Sequence, residues 1–207
     1  MKVTAIILAG GQNRRFGRNK ALEPIEGQSL IERVIESIKP LTSQILVVTS
    51  PEKTETPFTD KVEVLTDLYP ARGPLGGIYT GLQAARSRYS IVVACDMPFL
   101  NASLLRHMLE LAHDFDAVVP QLDEAKIEPL HAIYARSCLA GMKSMLEQDQ
   151  LRINSFLKTI RVRYIDKAEC QELDPELLSF FNINYRSDLE LAMALSSRRR
   201  PPAETHP

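Results

Sequence analysis

Short apolar segments that alternate with helical patterns constrain the fold of this chain more than any other feature. Apolar runs short enough for one buried strand recur at 3–8, 45–48, 62–65, 91–95 and 115–119. Helical spacing of apolar residues lies between them, over 30–38, 78–85 and 101–111. Continuous apolar runs are typical of strands buried on both faces of a parallel sheet. The alternation therefore predicts an α/β fold with a mostly parallel central sheet and helices on both faces.

Weaker patterns continue after residue 120. They predict strands at 130–134 and 162–165 and helices at 137–146, 154–159 and 188–195. A chain of 207 residues has the length of one domain with a sizeable core. We expect residues 1–195 to form this single domain. Residues 196–207 carry a cluster of arginines and prolines, and we predict that they form a disordered tail.

Charge, hydropathy and cysteine spacing exclude several classes of protein. The formal net charge is −1, whereas proteins that bind nucleic acid through bulk electrostatics are usually basic. No apolar stretch approaches the roughly 20 residues of a membrane span, and the first apolar run is too short for a signal peptide. The three cysteines stand far apart, without metal-ligand spacing. We expect a cytoplasmic protein with reduced thiols that binds neither nucleic acid nor a membrane.

The loop after the first strand is the strongest candidate binding site. Residues 8–20, LAGGQNRRFGRNK, carry three glycines, four cations and no carboxylate. Backbone N–H groups at Gly10 and Gly11 can close on an anion, and Arg15 and Lys20 can neutralise a triphosphate. The spacing matches neither of the two common phosphate-loop motifs. A solvated basic turn is the alternative, but so much local positive charge after a buried strand favours an anionic ligand.

Two aspartates also follow predicted strands. Asp96 comes directly after the run 91–95, and Asp67 follows the run 62–65. A buried carboxylate must be hydrogen-bonded, paired or bound to a metal, and Mg²⁺ favours one or two carboxylates together with phosphate oxygens. Asp96 is therefore a candidate Mg²⁺ ligand or a helix-capping residue. Asp67 is a candidate contact to the ribose or base of a nucleotide, a support for the metal, or a turn residue.

Three further segments offer candidate residues. Residues 72–78, RGPLGGI, would let the start of a helix pass close to a flat ligand at Gly76. The alternative is that they form a glycine-rich connection. Glu128 and His131 are candidates to face an acceptor pocket, although a lone histidine is more often a core or surface residue. Asn182 and Asn184 point to one side of an extended segment, because side chains alternate along a strand. Turn asparagines are the alternative.

Five segments in this order resemble those of one family, the molybdenum cofactor guanylyltransferases. They are LAGGQNRRFGRNKA, RGPLGGI, CDMPFL, EPLHAIY and FNINYRSDLELA, and the resemblance covers residues 3–195. It implies a Rossmann-like three-layer nucleotidyltransferase fold. Cytidylyltransferases for the same cofactor resemble the chain less, because they tend to carry a second alanine where Gly10 stands.

The resemblance also implies roles for individual residues. Lys20 matches the family's phosphate-binding lysine, and Asp96 matches its Mg²⁺ ligand. Asn182 and Asn184 fall in a segment near the acceptor. Thr49 stands where some members have an asparagine that contacts the nucleotide. This difference weakens the expectation that Thr49 contacts the base of the nucleotide. The residues expected to contact GTP are Leu8, Ala9, Gly10, Gly11, Lys20, Thr49, Asp67, Gly76 and Asp96.

The activity implied by the resemblance is Mg²⁺-dependent transfer of GMP from GTP to the terminal phosphate of molybdopterin, with release of pyrophosphate. Lys20, Arg15 and Asp96 would be the catalytic residues. No strong base is needed, because a phosphate monoester is largely dianionic at neutral pH. Molybdoenzymes or their chaperones would receive the product. The alternatives are a cytidylyltransferase for the same cofactor, a sugar-phosphate nucleotidyltransferase, and a nucleotide-binding module without catalysis.

Overall fold

A computed structural model describes residues 2–10, 20–51 and 62–199. In these ranges the strands are β1 Thr4–Leu8, β2 Pro24–Ile25, β3 Gln28–Ser29, β4 Gln44–Thr49, β5 Glu63–Thr66, β6 Tyr89–Ala94, β7 Ala117–Gln121, β8 His131–Ala135 and β9 Val162–Asp166. The helices are α1 Leu30–Ile38, α2 Gly73–Ala84, α3 Ala102–Leu111, α4 Cys138–Glu147, α5 Ile153–Leu157, α6 Lys167–Leu173 and α7 Arg186–Arg199.

The main sheet has the strand order β5-β4-β1-β6-β8-β7-β9. Its first four strands are parallel neighbours, and β9 runs parallel to β7. Strand β8 lies antiparallel between β6 and β7. The prediction of a mostly parallel sheet is therefore confirmed. The carboxyl ends of β5, β4, β1 and β6 meet at one edge, next to Thr66, Thr49, Leu8 and Ala94, which we term the carboxyl edge.

Two cores cover the two faces of the sheet, as expected for a three-layer fold. Along β1, Ile6 and Ile7 point to opposite faces because side chains alternate in a strand. Ile7 belongs to a core that includes residues of α1, α3 and α6. Ile6 belongs to a second core that includes residues of α2, α4 and α5. Helices on both faces are thus confirmed.

Helix α2 begins at Gly73, five residues before the predicted start at Ile78. The glycine-rich segment is therefore the first turns of a helix rather than a connection. Pro74 is tolerated there because backbone N–H groups in the first turn of a helix have no acceptor within the helix, so the N–H that proline lacks is not needed. Glycines weaken helix propensity, but here they allow close packing: a Cβ on Gly81 would lie 2.4 Å from Ile6 Cγ2 on β1.

The predicted disordered tail begins too early. Helix α7 continues to Arg199, four residues beyond the predicted domain boundary at 195. Ser196 explains the difference, because it is 8% exposed and is held by two charged side chains. Its hydroxyl donates to Glu26 Oε2 at 2.8 Å and accepts from Arg33 Nη2 at 3.1 Å. Residues 200–207 lie outside the described ranges.

A capping box begins α1. Ser29 Oγ accepts from the backbone N–H of Glu32, and Glu32 Oε2 accepts from the N–H of Ser29 at 2.8 Å. All three cysteines lie in described ranges, and none forms a disulfide. Burial raises the pKa of the Cys138 and Cys170 thiols to about 12. No helix within the described part of the chain has the length and apolar character needed to cross a membrane.

Candidate functional site

The carboxyl edge brings several of the predicted site residues together. Backbone hydrogen bonds extend the ladder beyond the strand ends: Ala9 N–H donates to Val48 O at 2.8 Å, and Asp67 N–H donates to Thr49 O at 2.9 Å. Cys95 N–H donates to Leu8 O at 3.1 Å. The segments around Leu8, Asp67 and Asp96 are therefore fixed to one another through β1, β4 and β6.

Lys20 and Asp96, which follows β6, form an ion pair. Lys20 Nζ lies 2.8 Å from Asp96 Oδ2, and the two side chains are only 13% and 20% exposed. The other oxygen, Asp96 Oδ1, is buried and has no hydrogen-bond partner among the described residues. An unpaired buried acceptor costs free energy, so this oxygen is suited to receive a cation or a donor from a ligand.

The residues at the edge fit a divalent cation that arrives with a phosphate ligand. Within residues 2–10, 20–51 and 62–199, no group of three or more His, Cys, Asp or Glu side chains could hold a metal by itself. Asp96 offers one carboxylate whose buried Oδ1 has no partner among the described residues. Mg²⁺ commonly uses one or two protein carboxylates and completes its shell with substrate phosphates and water.

Asp67, at the end of β5, is fixed by hydrogen bonds. Its Oδ1 accepts from the backbone N–H of Tyr69 and from the hydroxyl of Thr80, both at 3.0 Å. The side chain is partly exposed. Sequence reasoning did not single out Thr80. The signal that could have found it is a hydroxyl group in the apolar stretch of α2 from Leu75 to Leu82, which is buried throughout.

Gly76 and Thr49 both lie in closely packed surroundings. A Cβ on Gly76 would lie 2.8 Å from the carbonyl oxygen of Tyr69, so the glycine lets helix α2 pass close to the chain's own turn. Thr49, the last residue of β4, is 2% exposed. Its expected contact with GTP stays a prediction.

The prediction that His131 faces an acceptor pocket is wrong. The residue is fully buried, and its ring packs edge-on against Phe180 with centroids 4.9 Å apart. Burial lowers the pKa of the imidazole to about 3, so the ring is neutral at physiological pH. Neither ring nitrogen has a hydrogen-bond partner in the part of the chain that the structure describes. His131 is a core residue of β8.

Glu128 lies in the loop before β8 and remains a candidate. Its side chain is 13% exposed, and its Oε1 lies 3.6 Å from Lys126 Nζ. Burial raises the pKa of the carboxyl group, against the opposing effect of the lysine charge. The loop is fixed by its backbone, because Glu128 N–H donates to Pro120 O at 2.9 Å and Glu128 O accepts from His131 N–H at 3.1 Å.

The two asparagines lie beside the Asp96 segment. Between them, Ile183 is fully buried against Ile25 and Leu30, and its N–H donates to Asp96 O at 3.1 Å. Asn182 is half-buried and donates from Nδ2 to Phe180 O at 3.2 Å. Asn184 is exposed. The asparagines thus flank a buried residue that ties their segment to Asp96.

Gly11 and Arg15 lie outside the described residues, so their roles stay predictions. Leu8 and Ala9 are half-buried and Gly10 is exposed. The described part of the edge offers the ammonium group of Lys20 and the carboxylates of Asp67 and Asp96. This set suits electrostatic binding of a phosphorylated ligand, because preorganised charges and donors stabilise charge that develops during phosphoryl-type transfer.

Comparison with known proteins gives a consistent result. A family model described as MobA-like NTP transferase domain matches residues 5–164. The molybdenum cofactor guanylyltransferase of Desulfosudis oleivorans is 38% identical over 195 residues, which cover 93% of this chain and 95% of that protein. The crystal structure of molybdopterin-guanine dinucleotide biosynthesis protein A from Archaeoglobus fulgidus is 31% identical, with a TM-score of 0.81, and the match covers 94% of this chain and 99% of that one.

A more distant structure shows how widely the fold is used. The 2-C-methyl-D-erythritol 4-phosphate cytidylyltransferase of Thermus thermophilus is 19% identical, with a TM-score of 0.71, and the match covers 95% of this chain and 100% of that one. At this identity the likeness concerns the fold alone. The three-layer nucleotidyltransferase fold expected from the sequence is thereby confirmed.

Proposed function

The chain belongs to the MobA-like NTP transferase family, and from this premise we propose that it transfers GMP from GTP to the terminal phosphate of molybdopterin. The products are pyrophosphate and the guanine dinucleotide form of the molybdenum cofactor. The relatives named as molybdenum cofactor guanylyltransferases match over nearly the whole chain, which supports this choice of donor and acceptor.

The observation that carries the proposal is the Lys20–Asp96 pair with its unpaired oxygen. Lys20 supplies a positive charge for a triphosphate, and Asp96 Oδ1 supplies an acceptor without a partner among the described residues. An ammonium beside a half-satisfied carboxylate suits an anionic ligand that brings its own divalent cation. We call Lys20 and Asp96 the phosphate end of the site.

The opposite end of the edge supports contact with the nucleoside. Asp67 follows β5, which is three strands away from β6 in the sheet. Three spacings of about 4.8 Å put the two strands about 14 Å apart, so a nucleotide that touches both ends must extend across β4 and β1. We call Asp67, Tyr69, Gly76 and Thr80 the nucleoside end.

In the proposed reaction an oxygen of the molybdopterin phosphate attacks the α-phosphorus of GTP. The new phosphorus–oxygen bond forms as the bond from the α-phosphorus to the bridging oxygen breaks, and pyrophosphate leaves. The acceptor needs no base, because its second pKa near 6 leaves it largely dianionic at neutral pH. Lys20 binds the triphosphate and offsets the repulsion between two anions, and Arg15 is predicted to do the same. Mg²⁺, held by Asp96 and phosphate oxygens, would neutralise charge on the triphosphate.

The acceptor is proposed to bind on the side of Asn182, Asn184 and Glu128. Support comes from the hydrogen bond between Ile183 N–H and Asp96 O, which holds the asparagine segment next to the phosphate end. The exposed Asn184 amide can donate to phosphate or pterin oxygens. We expect the reaction to occur in the cytoplasm and the product to pass to molybdoenzymes or their chaperones.

Pyrophosphate release tests the proposal directly. The purified protein is incubated with Mg²⁺, molybdopterin and, in separate reactions, GTP, CTP or UTP, with the acceptor omitted as the control. The expected result is release with GTP that requires the acceptor. A preference for CTP would indicate a cytidylyltransferase instead. Release with UTP and a sugar phosphate would indicate a sugar-phosphate nucleotidyltransferase, and GTP binding without any release would indicate a binding module.

A further inference from the structure

We propose that Thr80 is a positioning residue for the nucleoside half of GTP, acting through Asp67. The inference rests on the proposed function, because it assumes that the nucleotide lies across the carboxyl edge. Thr80 is part of α2 and is only 4% exposed, so it acts on the ligand through its neighbour and not by contact.

The Thr80 hydroxyl joins helix α2 to the loop that follows β5. Its Oγ1 lies 3.0 Å from Asp67 Oδ1, and it accepts from the backbone N–H of Leu68 at 3.0 Å. The same hydroxyl lies 2.9 Å from the carbonyl oxygen of Gly76, one turn earlier in the helix. One hydroxyl thus reaches the carboxylate, the loop backbone and the helix backbone.

These contacts leave one oxygen of Asp67 for a ligand. Oδ1 accepts from Thr80 and from the Tyr69 N–H, and no described residue donates to Oδ2. The turn that carries Tyr69 is itself closed by a hydrogen bond from Arg72 N–H to Tyr69 O at 3.1 Å. The carboxylate is therefore held at one oxygen, and the second can accept an N–H or O–H donor of the nucleoside.

Holding the carboxylate in advance strengthens binding, because the ligand does not have to order a free side chain. Removing the hydroxyl would leave the Leu68 N–H without this acceptor and release Asp67 Oδ1 from one of its two donors. A residue with only a packing role would not require a hydroxyl in this apolar helix, where burying one is unfavourable unless it is hydrogen-bonded.

Thr80→Val and Thr80→Ser form the matched pair that tests this role. Valine has the shape of threonine but no hydroxyl, whereas serine keeps the hydroxyl and loses the methyl group. Titration calorimetry with Mg²⁺ and GTP is expected to show affinity about three- to tenfold weaker in Thr80→Val, as for the loss of one hydrogen bond. Thr80→Ser is expected to bind GTP like the wild type. In turnover, KM for GTP should rise in Thr80→Val, while KM for molybdopterin should not.

A double-mutant cycle with Asp67→Ala separates positioning from general destabilisation. If Thr80 acts through the Asp67 carboxylate, Thr80→Val weakens GTP binding in the wild-type background and causes no further loss of GTP affinity in the Asp67→Ala background. An equal loss in both backgrounds, unchanged GTP affinity in Thr80→Val, or a loss in Thr80→Ser as large as in Thr80→Val would overturn the proposal. If Thr80→Val does not fold, Thr80→Ala replaces it in the cycle.

The cycle distinguishes failure of this inference from failure of the proposed function. Binding by calorimetry requires no turnover and no acceptor. A wild-type protein that binds GTP but releases no pyrophosphate with molybdopterin would contradict the transfer reaction, and the cycle would still decide the role of Thr80. A protein that transfers GMP but shows an additive cycle would keep its function and lose the positioning role.

Discussion

The nucleoside end and the phosphate end of the site are built by different means. At the nucleoside end, Asp67 Oδ1 accepts two hydrogen bonds from neutral donors of the loop and of α2. At the phosphate end, Asp96 meets a charged lysine at 2.8 Å, and its second oxygen is buried without a partner among the described residues. The nucleoside end is held in place before the ligand binds. The phosphate end has a carboxylate oxygen that a ligand or its cation can pair with.

This difference sets the expected size of each residue's contribution. Neutral hydrogen bonds contribute about 0.5–1.5 kcal/mol each, so changes at the nucleoside end should alter GTP affinity by modest factors. A charge that is preorganised toward a reacting phosphate contributes more, because it acts most strongly where charge develops. Substitutions at the phosphate end should therefore change the reaction rate most.

Asp96→Asn is expected to have the largest effect. The amide keeps the shape of the side chain but loses the charge that would hold Mg²⁺, so turnover at saturating Mg²⁺ should fall by roughly 10³, the upper range for loss of one preorganised group. Pyrophosphate release with GTP and molybdopterin measures it. The control is Asp114→Asn, whose side chain is 85% exposed in the turn after α3. Near-normal turnover in Asp96→Asn would remove Asp96 from the metal role.

Lys20→Ala should follow, with a loss of roughly 10² in kcat/KM for GTP, since one positive charge on the triphosphate disappears. The matched control is Lys39→Ala, because Lys39 lies in the turn after α1, is half-exposed and forms a surface ion pair with Glu36. Steady-state kinetics with varied GTP compares the two. Equal values of kcat/KM in the two variants would show that the Lys20 charge does not act on the nucleotide.

Gly76→Ala tests whether the nucleoside end depends on close packing. The new Cβ would lie 2.8 Å from Tyr69 O, a backbone atom that cannot move without the turn, so the free energy of unfolding should fall by about 1–3 kcal/mol. Thermal denaturation measures the change. In the control, Gly141→Ala, the new Cβ meets the ring of Phe156 at 3.1 Å, which requires a smaller shift than the 2.8 Å approach to a backbone atom. A greater loss in Gly141→Ala would contradict the packing account.

Glu128→Gln is expected to have the smallest effect, and its sign follows from burial. Burial raises the pKa of Glu128 in the folded chain above the ordinary value of 4.5, so its stabilising contribution is present below pH 4.5 and is lost as pH rises through the folded value. Glu128→Gln should therefore raise the melting temperature at pH 7 by at most about 2–4 °C. A lower melting temperature at pH 7 would show that the Lys126 pair outweighs burial.

Apolar periodicity predicted the main sheet well, because buried strands need continuous apolar runs whatever their neighbours are. It did not predict the antiparallel direction of β8, which follows from the short connection 122–130, since a parallel neighbour of β7 would need a crossover of about a dozen residues or more. The early start of α2 was missed because three glycines before Ile78 lower helix propensity. Gly76 packs against the Tyr69 turn and Gly77 against Leu8, whereas Gly73 has a positive φ of 65°.

Side-chain burial was the main source of error at the site. His131 stands in a segment that matches a family motif, yet its side chain is fully buried. Thr80 was missed because a hydroxyl in the apolar stretch of α2 does not show, along the chain, which residue it contacts. Which polar group reaches the edge is decided by strand register and by loop turns that meet only in the folded chain.

Binding of inorganic tripolyphosphate tests the division of the site most directly, because this ligand has the phosphates of GTP and no nucleoside. Titration calorimetry with Mg²⁺ compares GTP and tripolyphosphate on the wild type, Lys20→Ala and Asp67→Ala. We expect Lys20→Ala to bind both ligands more weakly and Asp67→Ala to lose affinity for GTP alone. Equal loss of tripolyphosphate affinity in Asp67→Ala, or its full retention in Lys20→Ala, would contradict the division into a nucleoside end and a phosphate end.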